Sequence, residues 1–121
     1  MKHVIVTEDD PGLQDIYRII LERAGYRVTI YSNGKQILAN HFILPDIFLL
    51  DKQLSGTDGL DICRFLKAQD STRNIPVLII SASAGIEKLV RDSGADGFLE
   101  KPFEKRALLK MVEEATQPTS A

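Results

Sequence analysis

Disulfide bonds and membrane spans are missing from this sequence. Cys63 is the only cysteine in 121 residues, so no disulfide can form within the chain. We expect this residue to be a small buried hydrophobe in a protein of a reducing compartment. The apolar runs are much shorter than the roughly 20 residues that cross a bilayer. The first residues, MKHVIV, show no signal-peptide pattern, so we predict a cytoplasmic protein without membrane contact.

A strong excess of one charge is also missing. The net charge is −2, and both signs are interspersed along the chain. Nucleic-acid surfaces normally need clustered basic residues, so we predict no direct nucleic-acid partner. With 44% hydrophobic residues the chain fits a single compact domain. We assign this domain to residues 1–116 and expect a flexible tail at 117–121.

Short apolar runs alternate with helical patterns along the chain. The apolar runs predict five strands, at 4–7, 27–31, 47–50, 76–81 and 97–100. Apolar residues at helical spacing predict five helices, around 13–24, 35–41, 59–69, 86–90 and 105–115. The first helix should bury a stripe that includes Ile16 and Ala24, and the second should bury Leu38. This alternation predicts an α/β fold, a doubly wound five-stranded parallel sheet with helices on both faces.

Polar residues stand where four of the five predicted strands end. In chain order these strand tips carry Glu8-Asp9-Asp10, Asp51, Ser81 and Glu100-Lys101. Parallel strands end at one edge of the sheet, where ligands of open α/β sheets bind. Several carboxylates crowded together repel one another, and a hard cation such as Mg²⁺ relieves that repulsion. The pattern therefore favours a metal-dependent site at this edge.

Each of these residues has a simpler explanation when it is taken alone. Asp9 or Asp10 could cap the helix that follows them, and Asp51 could be a turn residue before the sequence LSGTDG. Ser81 could be a small polar strand end, and Lys101 an ordinary surface lysine. Together, however, the strand tips carry an acidic pair, an aspartate, a hydroxyl and a Lys-Pro sequence, in that order. This combination favours a functional site over coincidence.

With these motifs the sequence resembles the receiver domain of bacterial two-component response regulators, over residues 2–115. The matching segments are VTEDDP, PDIFLLDKQLSGTDGLDICRFLK, IPVLIISA and GADGFLEKPF. The resemblance implies a flavodoxin-like strand order, 2-1-3-4-5, and a phosphoacceptor switch in two-component or phosphorelay signalling. The phosphoryl donor would be a sensor histidine kinase or a histidine phosphotransfer protein, and the output would be binding to an unidentified downstream protein.

The resemblance also implies which residues accept the phosphoryl group and hold the metal. Asp51 matches the phosphoryl acceptor. Glu8 and Asp9 match the acidic pair that holds Mg²⁺ or Mn²⁺ together with Asp51 and the backbone carbonyl of Gln53. Such a domain assists its own phosphorylation and dephosphorylation with the metal and is not a turnover enzyme.

Further residues match the switch of the family. Ser81 matches the hydroxyl that bonds the phosphoryl group, and Lys101 matches the lysine that pairs with the phosphoryl oxygens. Phe98 matches the aromatic ring that changes rotamer on activation. The resemblance also implies that Pro102 follows a cis peptide bond.

The sequence departs from the family's usual pattern at several points. Ser55 stands where the family usually has proline. The stretch from Ser81 to Lys101 is about two residues shorter than usual, so we expect a short or displaced fourth helix. The DNA-binding branch with paired receivers often has an aspartate at the position of Gly97 and an arginine near Met111, and this sequence has neither. These two departures argue against a dimer of that type.

Other classes of protein fit less well. A flavodoxin needs a hydroxyl- and glycine-rich phosphate loop after the first strand, whereas TEDDP would repel phosphate. A phosphatase of the aspartyl-phosphate kind would carry its nucleophile on the first strand. Two alternatives stay open, a receiver domain that belongs to a longer regulator or hybrid kinase, and a pseudo-receiver that binds partners without phosphorylation.

Overall fold

The computed structural model describes residues 1–117, so most of the predicted tail lies outside the described residues. Strands and helices alternate along the chain as predicted. Their bounds are β1 (His3–Thr7), α1 (Pro11–Arg23), β2 (Arg27–Tyr31), α2 (Lys35–Leu38), β3 (Ile47–Asp51), β4 (Gln53–Leu54), β5 (Thr57–Asp58), α3 (Gly59–Lys67), β6 (Val77–Ser81), α4 (Glu87–Asp92), β7 (Gly97–Glu100) and α5 (Lys105–Thr116). None of these helices is long and apolar enough to cross a membrane.

Five strands form one parallel sheet in the order β2-β1-β3-β6-β7. Since β6 and β7 are the fourth and fifth strands of this sheet, the predicted order 2-1-3-4-5 is confirmed. The sequence did not predict the antiparallel hairpin of β4 and β5, which lies between β3 and α3. This hairpin begins two residues after Asp51, which ends the central strand.

The core lies in two layers, one on each face of the sheet. Every residue of β3 is buried, which explains why this strand is apolar up to its last residue. On one face the sheet packs against buried residues of α2, α3 and α4, which include the unpaired Cys63. On the other face it packs against α1 and α5, through residues such as Tyr17 and Leu108. The two layers make the sheet a rigid support for the side chains at its edge.

Three residues that the helical patterns assigned to the core are instead exposed. Ile16 is 46% exposed on α1, and Ala24 is exposed because it already caps the end of that helix. Leu38 is 40% exposed, since α2 ends there after a single turn. The chain leaves this helix through Asn40 at a φ of 57°. The end of the helix thus explains the exposure of Ala24 and Leu38, whereas Ile16 is exposed although it lies within the 13 residues of α1.

Candidate functional site

Three carboxylates meet where the central strands end. β1 and β3 run side by side in register, with Thr7 opposite Leu50, so the residues that follow them come together. One carboxylate oxygen from each of Glu8, Asp9 and Asp51 lies within 4.8 Å of the other two. Glu8 and Asp51 are buried, whereas Asp9 is exposed. The cluster therefore opens to solvent on the side of Asp9.

The structure separates the roles of the two adjacent aspartates. Asp10 is the cap of α1, since its Oδ2 accepts a hydrogen bond of 2.8 Å from the backbone N–H of Leu13. Asp9 belongs to the acidic cluster, and its Oδ2 accepts hydrogen bonds from the backbone N–H and the hydroxyl of Ser55, at 3.2 and 3.0 Å. The capping explanation thus applies to Asp10, and Asp9 faces the site.

Lys101 bridges the two buried carboxylates. Its Nζ lies 3.1 Å from Oε1 of Glu8 and 3.0 Å from Oδ2 of Asp51. The sheet holds the lysine in place, because the backbone N–H of Lys101 donates to the carbonyl of Ser81. The peptide bond between Lys101 and Pro102 is cis, as expected. One ammonium balances only part of the charge of three carboxylates, and the remaining charge favours a bound cation.

Burial and neighbouring charges shift the pKa values of this pair. Burial raises the pKa of Glu8, although hydrogen bonds from Asp10 and Lys101 work against the shift. For Lys101, burial by itself would lower the pKa, but the hydrogen bonds and charges of Asp51 and Glu8 outweigh it and raise the pKa. The lysine therefore stays protonated and positively charged within the site.

Two further predicted residues, Gln53 and Ser81, lie near Asp51. The backbone N–H of Gln53 donates to Oδ1 of Asp51 at 3.1 Å, so the start of the β4–β5 hairpin is tied to the end of the central strand. Ser81 ends β6, one residue beyond the pair of Asp51 and Ile80, and its buried Oγ accepts a hydrogen bond from Ser83. In this conformation the hydroxyl is bonded within its own loop.

Phe98 lies farther from the acidic cluster than the other predicted residues. It is half-buried on β7 and packs against the core layer beneath α3 and α4. Phe98 thus shares a face with α4, which the structure shows to be a short helix of six residues.

Gly59 is a residue of this site that the sequence did not reveal. A β-carbon at Gly59 would lie 2.2 Å from the carbonyl oxygen of Asp51 and 2.9 Å from Cα of Lys52. The sequence TDG indicates a turn or a helix start there, and Asp58 does cap α3. The close approach to the backbone of Asp51 depends on how the chain returns after the hairpin, which no local pattern encodes.

The donor atoms fit a hard divalent cation. The cluster offers carboxylate oxygens that are close enough to share one ion, and Mg²⁺ is typically held by one or two carboxylates together with waters and phosphate oxygens. Neither cysteine nor histidine belongs to the cluster, so its chemistry favours Mg²⁺ or Mn²⁺ over softer metals. The three predicted carboxylates therefore suit the predicted ion.

A parallel sheet of this order, with an acidic cluster and a lysine at its carboxyl edge, defines a class of phosphoacceptor domains. The family model of the response regulator receiver domain matches residues 4–113. The chain belongs to this family and is a receiver domain of the kind found in two-component systems.

Curated relatives extend beyond the matched region. The chain is 37% identical over 116 residues to the DNA-binding dual master transcriptional regulator RpaA of Synechocystis sp., covering 93% of this chain and 48% of that protein. It is 32% identical to the DNA-binding response regulator MtrA of Mycolicibacterium smegmatis, covering 92% of this chain and 49% of that protein. The chain thus spans about half the length of these relatives.

Solved receiver domains share the fold. The receiver domain of the sensor histidine kinase PA1611 of Pseudomonas aeruginosa, solved with a magnesium ion in its active-site cleft, is 26% identical, with a TM-score of 0.86 and coverage of 95% of this chain and 97% of that one. The signal receiver domain of a histidine kinase from Syntrophus aciditrophicus is 28% identical, with a TM-score of 0.88 and coverage of 100% and 96%.

Proposed function

We propose that Asp51 accepts a phosphoryl group from the phosphohistidine of a sensor histidine kinase or a phosphotransfer protein. The observation that carries this proposal is that the ammonium group of Lys101 contacts both Asp51 and Glu8. It places a positive charge and the acidic cluster next to the carboxylate that ends the central strand. Mg²⁺ would be held by Glu8, Asp9, Asp51 and the backbone carbonyl of Gln53. The domain would be a switch and not a turnover enzyme.

The reaction needs little covalent chemistry from the protein. A carboxylate oxygen of Asp51 forms a bond to phosphorus while the bond from phosphorus to the histidine nitrogen breaks, and the imidazole keeps the electron pair. Charge spreads over the three equatorial phosphoryl oxygens in such transfers, so positioning and electrostatics dominate. Lys101 already lies at the carboxylate and would turn its ammonium toward these oxygens. The bound cation would neutralise the carboxylates and the incoming phosphoryl group.

The phosphoryl group would then change the contacts of Ser81. In the structure the hydroxyl oxygen accepts from the N–H of Ser83, which leaves its proton available for a phosphoryl oxygen at Asp51. Movement of the loop after β6 would open space next to the half-buried ring of Phe98. The face formed by α4, β7 and α5 would carry the signal to a downstream protein.

The proposal also covers the phosphoryl donor of the domain and its location in the cell. The family's signalling role supports a cytoplasmic domain with a kinase or phosphotransfer protein as its donor. The two relatives described above are named as DNA-binding regulators, which supports the alternative that this receiver belongs to a longer regulator. In that case DNA would be bound by another part of the protein. A hybrid kinase would be a further setting, as in PA1611.

Intact-mass measurement tests the proposal directly. The wild-type chain and Asp51→Asn are incubated with a small acyl-phosphate donor, with and without Mg²⁺. We expect a single phosphate adduct on the wild type, only with Mg²⁺, and none on Asp51→Asn. An adduct that persists in Asp51→Asn would place the acceptor elsewhere, and a wild type without an adduct would support a pseudo-receiver.

A further inference from the structure

Ser55 connects the acidic cluster with a segment that lies far from Asp9 in the chain. Its backbone N–H and its hydroxyl both donate to Oδ2 of Asp9, at 3.2 and 3.0 Å. Asp9 follows β1, whereas Ser55 is in the turn between β4 and β5, 46 residues later. The hairpin is anchored at its other end by the hydrogen bond from Gln53 to Asp51. The hairpin is therefore tied to two of the three carboxylates, to Asp51 through Gln53 and to Asp9 through Ser55.

The geometry of the turn explains why both donors of Ser55 are available. The turn has two central residues, Ser55 and Gly56, because the strand residues Leu54 and Thr57 are paired directly. Gly56 has a φ of +78°, and a positive φ at the second central residue is the pattern of a type II turn. The first central residue of such a turn has no ladder partner for its N–H. A two-stranded hairpin is also only marginally stable by itself, so an outside contact matters.

We propose that Ser55 is a positioning residue that orients Asp9 as a metal ligand. A carboxylate oxygen has two lone pairs, and the two donors of Ser55 occupy those of Oδ2. Oδ1 is thereby left to face a cation. Asp9 is exposed, so without these bonds its side chain would sample several rotamers, and ordering it would oppose binding. This inference rests on the metal site of the proposed function.

Two substitutions at Ser55 remove either one or both of its hydrogen-bond donors. Ser55→Ala removes the hydroxyl and keeps the N–H, whereas Ser55→Pro removes both. Proline is favoured at the first central position of a type II turn, and Leu54 before it is already extended, so the hairpin is retained. Ser32→Ala is the matched control, because Ser32 is exposed after β2 and is not bonded to Glu8, Asp9 or Asp51 in the described part of the chain.

Calorimetric titration with MgCl₂ measures the effect on the metal-binding step. We expect Ser55→Ala to bind Mg²⁺ about 2- to 10-fold more weakly than the wild type, the range of one net hydrogen bond. Ser55→Pro should lose at least as much, and Ser32→Ala should match the wild type. In an Asp9→Ala background Ser55→Ala should have no further effect, whereas a general loss of structure would add to the first substitution.

The metal-free protein gives an independent readout. The amide resonance of Ser55 should shift in Asp9→Ala but not in Asp10→Ala, since only Asp9 accepts from it. Equal Mg²⁺ affinity in the wild type and both Ser55 variants would overturn the positioning role. Tighter binding in the variants would also overturn it, since Ser55 would then compete with the metal for Asp9. A wild type that binds no Mg²⁺ would refute the metal site itself, even if the Ser55 amide responds to Asp9.

Discussion

Gly59 lies directly against the backbone of Asp51, and a β-carbon on this glycine would come within 2.2 Å of the Asp51 carbonyl oxygen. The first residue of α3 thus sets the position of the last residue of the central strand. The N–H of Gly59 also donates to the carbonyl of Lys52 at 2.8 Å, so the two segments are joined by a hydrogen bond as well as by close packing.

Gly59→Ala should therefore destabilise the domain and disturb the site together. Forcing a methyl group into backbone atoms typically costs about 1–3 kcal/mol, and the backbone of Asp51 has to move. We expect a lower midpoint in urea unfolding and slower phosphorylation by a small acyl phosphate. Gly12→Ala is the control, because its β-carbon would meet only the end of the Asp10 side chain, at 3.3 Å. Equal behaviour of the two variants would contradict this role of Gly59.

The relation between Gly59 and Asp51 illustrates what a single sequence can predict about this fold. The alternation of apolar runs and helical patterns predicted the parallel sheet, and the polar strand tips predicted which residues lie at its edge. The strand order came from the resemblance to receiver domains. Contacts through space between distant segments, such as Ser55 with Asp9, have no local pattern and were missed. The choice between Asp9 and Asp10 as helix cap depends on the direction of each side chain, which two adjacent aspartates do not reveal in sequence.

Asp9→Ala and Asp10→Ala should have opposite effects. Asp9 caps no helix and adds charge next to Glu8 and Asp51. The relief of this repulsion should offset the lost hydrogen bonds from Ser55, so removal of Asp9 should leave the metal-free domain as stable or up to about 1 kcal/mol more stable. Mg²⁺ should then bind more weakly and raise the melting temperature less than it does in the wild type. Asp10→Ala should lose about 1 kcal/mol with the cap of α1 and still bind Mg²⁺. Thermal melts of both variants, with and without Mg²⁺, measure these effects. A lower melting temperature of metal-free Asp9→Ala would mean that Asp9 is chiefly structural.

His3 should make the stability of the domain depend on pH. Burial lowers its pKa below 6.5, with a further contribution from Arg27 and an opposing one from Asp46. As pH falls below 6.5, His3 takes up a proton in the unfolded chain before it does so in the folded chain. The free energy of unfolding therefore decreases as pH falls, until the pH passes the lowered pKa of His3 in the folded chain. We expect the free energy of unfolding in urea to drop from pH 7.5 to 5.5 by more in the wild type than in His3→Gln.

Glutamine at position 3 retains a hydrogen-bonding group that can meet the hydroxyl of Thr29, which lies 2.8 Å from Nε2 of His3. His41→Gln, at an exposed position, is the control and should follow the wild type. A pH dependence that is unchanged in His3→Gln would show that other groups account for it.

Ile19 is a candidate contact for the phosphoryl donor. It is 51% exposed on α1, the helix that begins directly after the acidic pair. Ile19→Glu should slow transfer from a phosphorylated partner about 5- to 30-fold, as removal of an interface anchor does, and leave small-donor phosphorylation unchanged. Ile43→Glu is the control, since Ile43 is 77% exposed before the start of β3, at the opposite edge of the sheet. Equal losses with both donors would indicate general damage to the fold.

Phosphorylation of Asp51 should change the conformation of the surface formed by α4 and β7, through movements of Ser81 and Phe98. The Ser81 hydroxyl accepts from Ser83 in the structure and would turn to a phosphoryl group on Asp51, so the loop that leads to α4 would shift. Phe98 packs on the same face as Val90 of α4, and it would turn inward as that loop moves. Allosteric couplings of this kind are typically about 1–3 kcal/mol, so partner affinity should change roughly 5- to 150-fold.

Chemical-shift mapping with a phosphate mimic, in the wild type and in Ser81→Ala, measures this coupling. In the wild type we expect shifts at Asp51, at Phe98 and over residues 86–90. In Ser81→Ala they should stay near Asp51, because the hydroxyl that connects the phosphoryl group to the loop is gone. The mimic can bias the two states only through contacts that differ between them, so losing this contact should weaken the response. Wild-type shifts confined to the surroundings of Asp51 would mean that Phe98 is a static core residue.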